Sequence, residues 1–277
     1  MTQETDAGIN LGEHRGGLPP EAAQHMMQQA FDLWINPEIE RRRRDGSLPD
    51  GFQLFMVQQI QRPDGSVSVR FNDEVRGVAM IRATREMAAG ENAFMDDFDG
   101  IESFDLVDEE LDYGHWTAFF TGKRWIATFN FLNQRAKCLD LLDKAQQFFE
   151  SVLVAKSKSH PAVVVDNLFS ACELISKAEL VSSQMLKLDT RTHSQIATQL
   201  NRWRKLGNIE SAFVDLFNNL ANLRTRYRYD AGFTDPMPVS DDDLELVQRM
   251  IEKGISKVGP KIEKSPGEIS LSERHEA

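Results

Sequence analysis

The spacing of apolar residues divides the chain into two halves with different periods. Between residues 19 and 131 a helical spacing gives way to runs with the period of two that is typical of strands. From Asn133 onward the period is helical. We therefore predict an α+β protein, in which a small antiparallel-sheet N-terminal domain (19–131) is followed by an antiparallel helical bundle (132–258). The polar flanking segments 1–18 and 259–277 are predicted to be disordered tails.

The N-terminal half is predicted to contain a helix and two β-hairpins. The helix begins at Pro19-Pro20 and is interrupted at Pro37. The run Arg41 to Arg44 either complements the dipole at a helix C-terminus or forms a phosphate-contact patch. The turns of the hairpins are predicted at Arg62-Pro63-Asp64-Gly65 and Thr121-Gly122-Lys123. In the last strand the alternation places one face toward a core, namely Trp125, Ala127, Phe129 and Phe131.

Five helices are predicted in the second half, joined by short connections. The first two cover 133–157 and Pro161 to about Leu188. The third opens with a capping-box pattern at Thr192-His193-Ser194-Gln195 and stops at Gly207, and the fourth is capped by Asn208. The last begins after Ser240 and is stopped by Pro260. The second of these is apolar over a broad surface, which indicates a central, mostly buried helix.

Charge is distributed unevenly along the 277 residues, whose net charge is −11. Glu86 to Asp112 holds eleven acids and no Lys or Arg, whereas Arg191 to Arg228 holds seven bases and two acids. The acidic segment is interpreted as a solvated loop attached through Phe94, Phe98, Phe104 and Leu106; the alternatives are a metal site or a mimic of nucleic acid. The overall charge argues against indiscriminate nucleic-acid binding but permits a local anion-binding face.

Several classes of protein are excluded by what the sequence lacks. No apolar run is long enough for a membrane span, and no secretory signal is recognisable. Cys138 and Cys172 are interpreted as buried thiols in a reducing compartment, which favours a cytoplasmic protein. There is no phosphate-binding glycine loop, Cys-x-x-Cys, His-Glu-x-x-His or Gly-x-Ser-x-Gly motif, and we predict no metal or other cofactor.

The candidate ligand-binding residues lie in three short stretches of the helical half. They are Glu173 and Lys177, four apart on one helix face; His193 between two helices; and Arg224, Arg226, Arg228, Tyr229 and Asp230 at the end of a late helix. Each has a structural alternative: a helix-face ion pair, a residue at a helix start, solvated arginines and packing aromatics. As a site, the arginines would donate to phosphate and Tyr229 would stack on a base.

These stretches resemble the HEPN superfamily, the nucleotide-binding helical bundle of higher eukaryotes and prokaryotes. The matching pieces are Glu-x-x-x-Lys-Ala-x-Leu from Glu173 to Leu180, the Thr-His-Ser step at 192–194, and the Arg- and Tyr-rich helix end; the resemblance covers about 130–258. It implies a homodimer that binds nucleotide or RNA. Active members are metal-independent ribonucleases with an Arg and a His four to six residues apart. Arg224 matches the Arg, but no His occupies 229–231.

Three functional hypotheses follow. Because His exchanges protons readily near neutral pH and is missing at the family position, the leading hypothesis is HEPN-like binding of nucleotide or RNA without efficient catalysis, in a prokaryotic defence or stress system. The alternative is a dimeric adaptor that binds a protein partner through the N-terminal domain and the acidic segment 86–112. The third is an atypical metal-independent ribonuclease that uses Tyr229, His193 or Glu173.

Overall fold

The fold is α+β. The computed structural model describes residues 19–88, 90–91, 97–122, 124–231, 233, 237–260 and 262. The chain divides into two compact units, Met1–Phe131 with Pro260–Ala277, and Leu132–Gly259. The predicted tails at 1–18 and 263–277, like Phe94 and Lys123, lie outside the described residues. Gly259, which was assigned to a disordered tail, is instead buried at the end of the second unit.

The N-terminal helix continues past the position where an interruption was predicted. It consists of α1 (Pro20–Ala30), a π-helical turn (Phe31–Ile35) and α2 (Asn36–Arg44). Pro37 has no N–H to donate, and the π-turn just before it lets the backbone of Asn36 donate to Phe31 O, five residues back, without a break in the helix. The four arginines form the last turn of α2, as the helix C-terminus interpretation predicts.

Both predicted hairpins are confirmed and belong to one sheet. The strands are β1 (Met56–Gln61), β2 (Val67–Phe71), β3 (Val78–Ala83), β4 (Phe98–Asp105), β5 (Gly114–Phe120) and β6 (Trp125–Asn130). Four of them form an antiparallel sheet in the order β2-β1-β5-β6, and β3 pairs with β4 in a separate antiparallel sheet. One apolar cluster joins the four-stranded sheet to α1 and the π-turn, and a second joins it to β3 and β4.

The prediction of a solvated loop for the acidic segment is wrong over β4, which lies inside it. Phe98, Phe104 and Leu106 are buried, as predicted, but Phe98 and Phe104 are strand residues paired with β3. The register of this pair shifts twice, between Met80 and Ile81 and between Arg82 and Ala83. Such bulges interrupt the period of two, which is why the alternation was not visible in the sequence.

The aromatic face predicted for β6 packs against a core over only half its length. Trp125 and Ala127 pack against the cluster on the helix side of the sheet. Phe129 and Phe131 are instead 45% and 39% exposed and stack on each other with ring centroids 5.6 Å apart. β6 is an outer strand of its sheet, and the apolar cluster on the helix side covers only the first half of this face.

The helical unit contains the five predicted helices, with corrected ends. They are α3 (Arg135–Ser157), α4 (Pro161–Ser182), α5 (His193–Lys205), α6 (Ser211–Tyr229) and α7 (Asp241–Val258). The second ends at Ser182 and not near Leu188, because Gln184 adopts a left-handed conformation (φ 58°). Gln184 N–H donates to Val181 O (3.0 Å) and Met185 N–H to Leu180 O (2.8 Å), which is the Schellman pattern of helix termination.

Two of the predicted helix caps differ in the structure, and the predicted end of α5 at Gly207 is confirmed. The Thr192 hydroxyl donates to the side chain of Gln195 (2.7 Å) and caps no backbone N–H, so the capping box at α5 is not formed. Glu210, not Asn208, precedes the first turn of α6. Gly207 ends α5 with a positive φ of 75°, and Ser240 forms a capping box at the start of α7.

The core of the bundle is built around α4. Twelve of its residues are buried, in agreement with the predicted central helix, and Cys138 and Cys172 are both fully buried, as predicted. Among the described residues of this unit, one charged side chain is buried: Arg135, 2% exposed, donates from Nε to Val258 O (2.8 Å). It therefore ties the start of α3 to the last turn of α7.

Candidate functional site

One stripe of α4 carries the polar and aromatic groups of the candidate site. Asp166, Phe169, Glu173 and Lys177 are spaced by three, four and four residues, which places them on one face of the helix. Three of these side chains are contacted by residues from α5 or α6. These three are Asp166, Phe169 and Glu173. Together with His193, Arg224 and Arg228 they are called the α4 cluster.

Two arginines of α6 share one carboxylate of α4. Arg224 Nε donates to Asp166 Oδ1 (2.6 Å), and Arg228, one helical turn later, donates from Nη2 to Asp166 Oδ2 (2.7 Å). Burial of Asp166 disfavours its ionised form, but the hydrogen bonds and charges of Arg228 and Arg224 outweigh burial and hold the pKa of this carboxyl below its ordinary value. Asp166 is therefore ionised at neutral pH, and it compensates one of the two guanidinium charges.

Phe169 is the residue that both sides of the cluster contact. The guanidinium carbon of Arg224 lies 4.7 Å from the centre of the Phe169 ring, and the His193 ring centroid is 5.7 Å from it. The ring is held from within the bundle by Phe217, stacked at 5.3 Å with an interplanar angle of 17°. A buried aromatic pair thus supports the positions of one arginine and one histidine.

Glu173 pairs with His193 and not with the residue expected. His193 Nδ1 is in direct contact with Glu173 Oε1. Lys177 shares the helix face with Glu173, but among the described residues no ion pair joins the two. His193 is the first residue of α5, and its imidazole is 59% exposed. The histidine is consequently oriented by a carboxylate and accessible to solvent.

The remaining predicted residues lie apart from the α4 cluster at the end of α6. Arg226 is two residues from both Arg224 and Arg228, so it points to another side of the helix. Its guanidinium carbon lies 4.0 Å from the ring centre of Phe233, and its Nε lies 4.0 Å from Asp230. Tyr229 is 75% exposed. The structure therefore brings Glu173, His193 and Arg224 together around Phe169, with Arg228 beside Asp166, but leaves Arg226, Tyr229 and Asp230 outside this group.

Sequence reasoning missed Asp166 and Phe169, the two residues that hold the cluster together. A signal was present, because both lie on the stripe that continues to Glu173. That signal does not show which polar positions of a stripe meet a partner from another helix. Phe169 is one of the apolar residues of α4, and its contacts with charged side chains depend on the packing of α5 and α6.

Part of the acidic segment is paired with arginines that lie outside it. Among its described residues, Glu91 and Asp97 pair with Arg85, Glu102 with Arg82, and Glu110 with Arg70, at 2.5–3.8 Å. In the part of the chain that the structure describes, no group of three or more His, Cys, Asp or Glu side chains is arranged to hold a metal ion. That the acidic segment 86–112 binds a protein partner stays a prediction.

The α4 cluster has groups that can bind an anion and one group that can move a proton. Guanidinium N–H groups donate to phosphate oxygens, and an imidazole beside a carboxylate can accept or release a proton. Among the described helices, none is both long and apolar enough to cross a membrane. No protein-family model, no curated protein and no solved structure matches this chain.

Proposed function

We propose that the helical unit, Leu132–Gly259, is a HEPN-like module that binds a nucleotide or RNA through phosphate, without efficient catalysis. The observation that carries the proposal is the pair Arg224 and Arg228 sharing the single carboxylate of Asp166. As part of the same proposal the module is a homodimer in the cytoplasm of a prokaryote, where it serves a defence or stress system by analogy with the superfamily.

Charge and donor geometry support an anionic ligand. One carboxylate against two guanidiniums leaves a positive charge that is not balanced within this triad. Each guanidinium has five N–H groups, and the contacts with Asp166 use a minority of them. Arg228 is 42% exposed, so a phosphate can reach it from solvent. The two arginines are therefore held in place by Asp166 and still have N–H groups that a phosphate could accept from, as phosphate recognition requires.

The arrangement of His193 favours a second candidate, a weak metal-independent ribonuclease. His193 and Arg224 contact the same ring, Phe169, and Glu173 orients the imidazole. An oriented imidazole near a phosphate-binding arginine is the minimum that proton transfer in RNA cleavage needs. No His occupies positions 229–231, where the superfamily resemblance would place the catalytic His. In the proposed ribonuclease, His193 of α5 would take that role.

Binding is tested by fluorescence anisotropy with a labelled single-stranded RNA. We expect wild-type affinity to fall steeply between about 50 and 200 mM salt, because phosphate contacts release counterions. Arg224→Gln and Arg228→Gln should each weaken binding by about 5- to 30-fold, the loss of one charge-assisted contact. The matched control is Arg202→Gln, which removes the same charge from an exposed position of α5.

Two results would contradict the proposal: undetectable binding by the wild type, or an equal loss in the Arg202→Gln control. Cleavage is measured on the same RNA, with and without a chelator. Cleavage by the wild type that His193→Ala abolishes would favour the second candidate; its persistence in that variant would indicate a contaminating nuclease.

A further inference from the structure

A concavity in the N-terminal unit, remote in sequence from the α4 cluster, is lined mainly by arginines. Arg42, Arg62, Arg70 and Arg76 lie along it, and its volume is about 550 Å³. The lining carboxylates are those of Asp73 and Glu74. This volume lies within the range of small-molecule sites. In a protein whose net charge is −11, four guanidiniums in one concavity require an explanation.

Two of the four arginines have structural roles. Arg42 donates to both carboxylate oxygens of Glu74 (2.7 and 2.9 Å) and to Val69 O (2.9 Å), so it covers the open edge of β2. Arg70 forms a bidentate pair with Glu110 (2.5 and 2.7 Å). Their guanidiniums are directed by these carboxylates, and their charges are compensated.

The other two arginines form no direct ion pair, although both help to lower the pKa of Glu110 through their charge, and Arg62 acts on Asp64 in the same way. Within the residues that the structure describes, neither Arg62 nor Arg76 forms an ion pair. The guanidinium carbon of Arg62 lies 5.7 Å from the ring centre of Tyr113. A cation over a ring uses the face of the guanidinium, and its N–H groups in the plane remain available for an oxyanion.

A buried glutamine holds this arrangement in place. Gln58 is fully buried in β1; its Nε2 donates to Arg76 O (2.8 Å), and its Oε1 accepts from Arg70 Nη1 (3.0 Å) and from the backbone N–H of Arg76 (3.3 Å). A buried amide is costly unless it is satisfied, so these bonds determine where Arg76 leaves the core. The backbone of Arg76, which forms no ion pair among the described residues, is therefore positioned before any ligand arrives.

A hydroxyl in the same concavity lacks a partner. Ser68 Oγ is buried and, among the described residues, forms no hydrogen bond. A buried hydroxyl without a partner costs free energy that a bound acceptor would recover. A phosphate oxygen accepts from a serine hydroxyl as readily as from a guanidinium.

We propose that this concavity binds a phosphate group, as inorganic phosphate or a phosphomonoester, through Arg62, Arg76 and the hydroxyl of Ser68. The dianion supplies the direct ion-pair partner that these two arginines lack and the acceptor that Ser68 lacks. The carboxylates of Asp73, Glu110 and Asp64 repel the dianion, so the affinity is modest. Two arginines together favour a doubly charged anion over a singly charged one.

The test uses the full chain with Arg224→Gln and Arg228→Gln in place, which removes the helical unit's proposed phosphate contacts. Inorganic phosphate and AMP are titrated separately by calorimetry. We expect saturable binding of at least one of them, weakened about fivefold or more by Arg62→Gln, Arg76→Gln or Ser68→Ala. The control, Arg82→Gln, removes an arginine of β3 that does not line the concavity.

The outcomes separate the possible ligands and the proposals. Binding of both probes indicates a phosphomonoester site, and binding of inorganic phosphate alone indicates a site for the free ion. No saturable binding of either, or an equal loss in Arg82→Gln, overturns the inference. Because Arg62 and Arg76 take part in no described ion pair, their variants should keep the wild-type melting temperature, which circular dichroism checks. The result is independent of whether the helical unit binds RNA.

Discussion

Replacing Asp166 by Asn is expected to lower stability and strengthen RNA binding at the same time. The substitution keeps the shape of the side chain and removes the charge that Arg224 and Arg228 share. If Asp166 served only to hold the helices together, its loss would impair both properties. If it occupies a site that a phosphate uses, the two effects have opposite signs.

The stability effect can be worked from the two ion pairs. Asp166 and its partners are partly exposed, with side-chain exposures of 31%, 22% and 42%. Exposed pairs contribute about 0.2–1 kcal/mol each, so two pairs on one carboxylate give a loss of about 0.4–2 kcal/mol at neutral pH. The pKa of Asp166 is lowered from 3.8, so this contribution is present above about pH 4 and disappears as pH falls through the folded-state pKa.

The binding effect follows from removing one negative charge beside the ligand. At about 5 Å in water-like surroundings, one charge repels a phosphodiester by about 0.8 kcal/mol, which is about fourfold in affinity. Urea denaturation at about pH 7 and pH 3 measures the first effect, and RNA anisotropy measures the second. Asp215→Asn changes the net charge equally, and its 62% exposed carboxylate pairs only with Arg204 among the described residues. Weaker RNA binding by Asp166→Asn than by this control would refute the reasoning.

Three further predictions concern the fold. Gln58→Leu should lower the free energy of unfolding by about 2–4 kcal/mol in urea, since it leaves the polar partners of a buried amide unsatisfied; an unchanged midpoint would contradict this. Gln184→Gly should raise the melting temperature by relieving about 1 kcal/mol of left-handed strain, whereas Gly207→Ala should lower it by a similar amount, and shifts of the same sign would be inconsistent with the helix ends described. Burial raises the pKa of the Cys172 thiol, so iodoacetamide should label neither it nor Cys138 in the native protein but both in urea, as mass spectrometry would show; native labelling would disprove their burial.

The secondary structure that could be predicted is the part that local chemistry determines. The Pro63-Asp64-Gly65 turn and the alternation after it specify a hairpin without any tertiary information. Gly207 marks a helix end because a left-handed residue is ordinarily Gly. Gln184 ends α4 by the same backbone geometry, but glutamine gives no such signal, so the helix was predicted about six residues too long. β4 was missed for the reverse reason, because bulges and acids hid a strand that pairing with β3 stabilises.

The candidate site was predictable in its members but not in its pairings. Arg224, His193 and Glu173 were identified by residue type, and the structure does bring them to one face of α4. The pairing of Glu173 was assigned to its neighbour at i+4, because one helix is all that a sequence stripe describes. A partner from another helix, such as His193, depends on how α4 and α5 pack, and a single sequence does not contain that geometry in readable form.

The charge balance of the cluster also bears on why the fold keeps it. Asp166 carries one negative charge against two guanidiniums, so the triad keeps a net positive charge. The two guanidiniums also repel each other, by about 1 kcal/mol at 4 Å even in water, which reduces what the second ion pair contributes to stability. A fold that accepts this repulsion, and holds Arg224 against Phe169 as well, keeps a positive charge positioned in advance for an anion. The same departure from pairing occurs in the N-terminal unit, where Arg62 and Arg76 lack the carboxylates that Arg42 and Arg70 have. The arginines to test for phosphate binding are therefore Arg224 and Arg228 in the helical unit and Arg62 and Arg76 in the N-terminal unit.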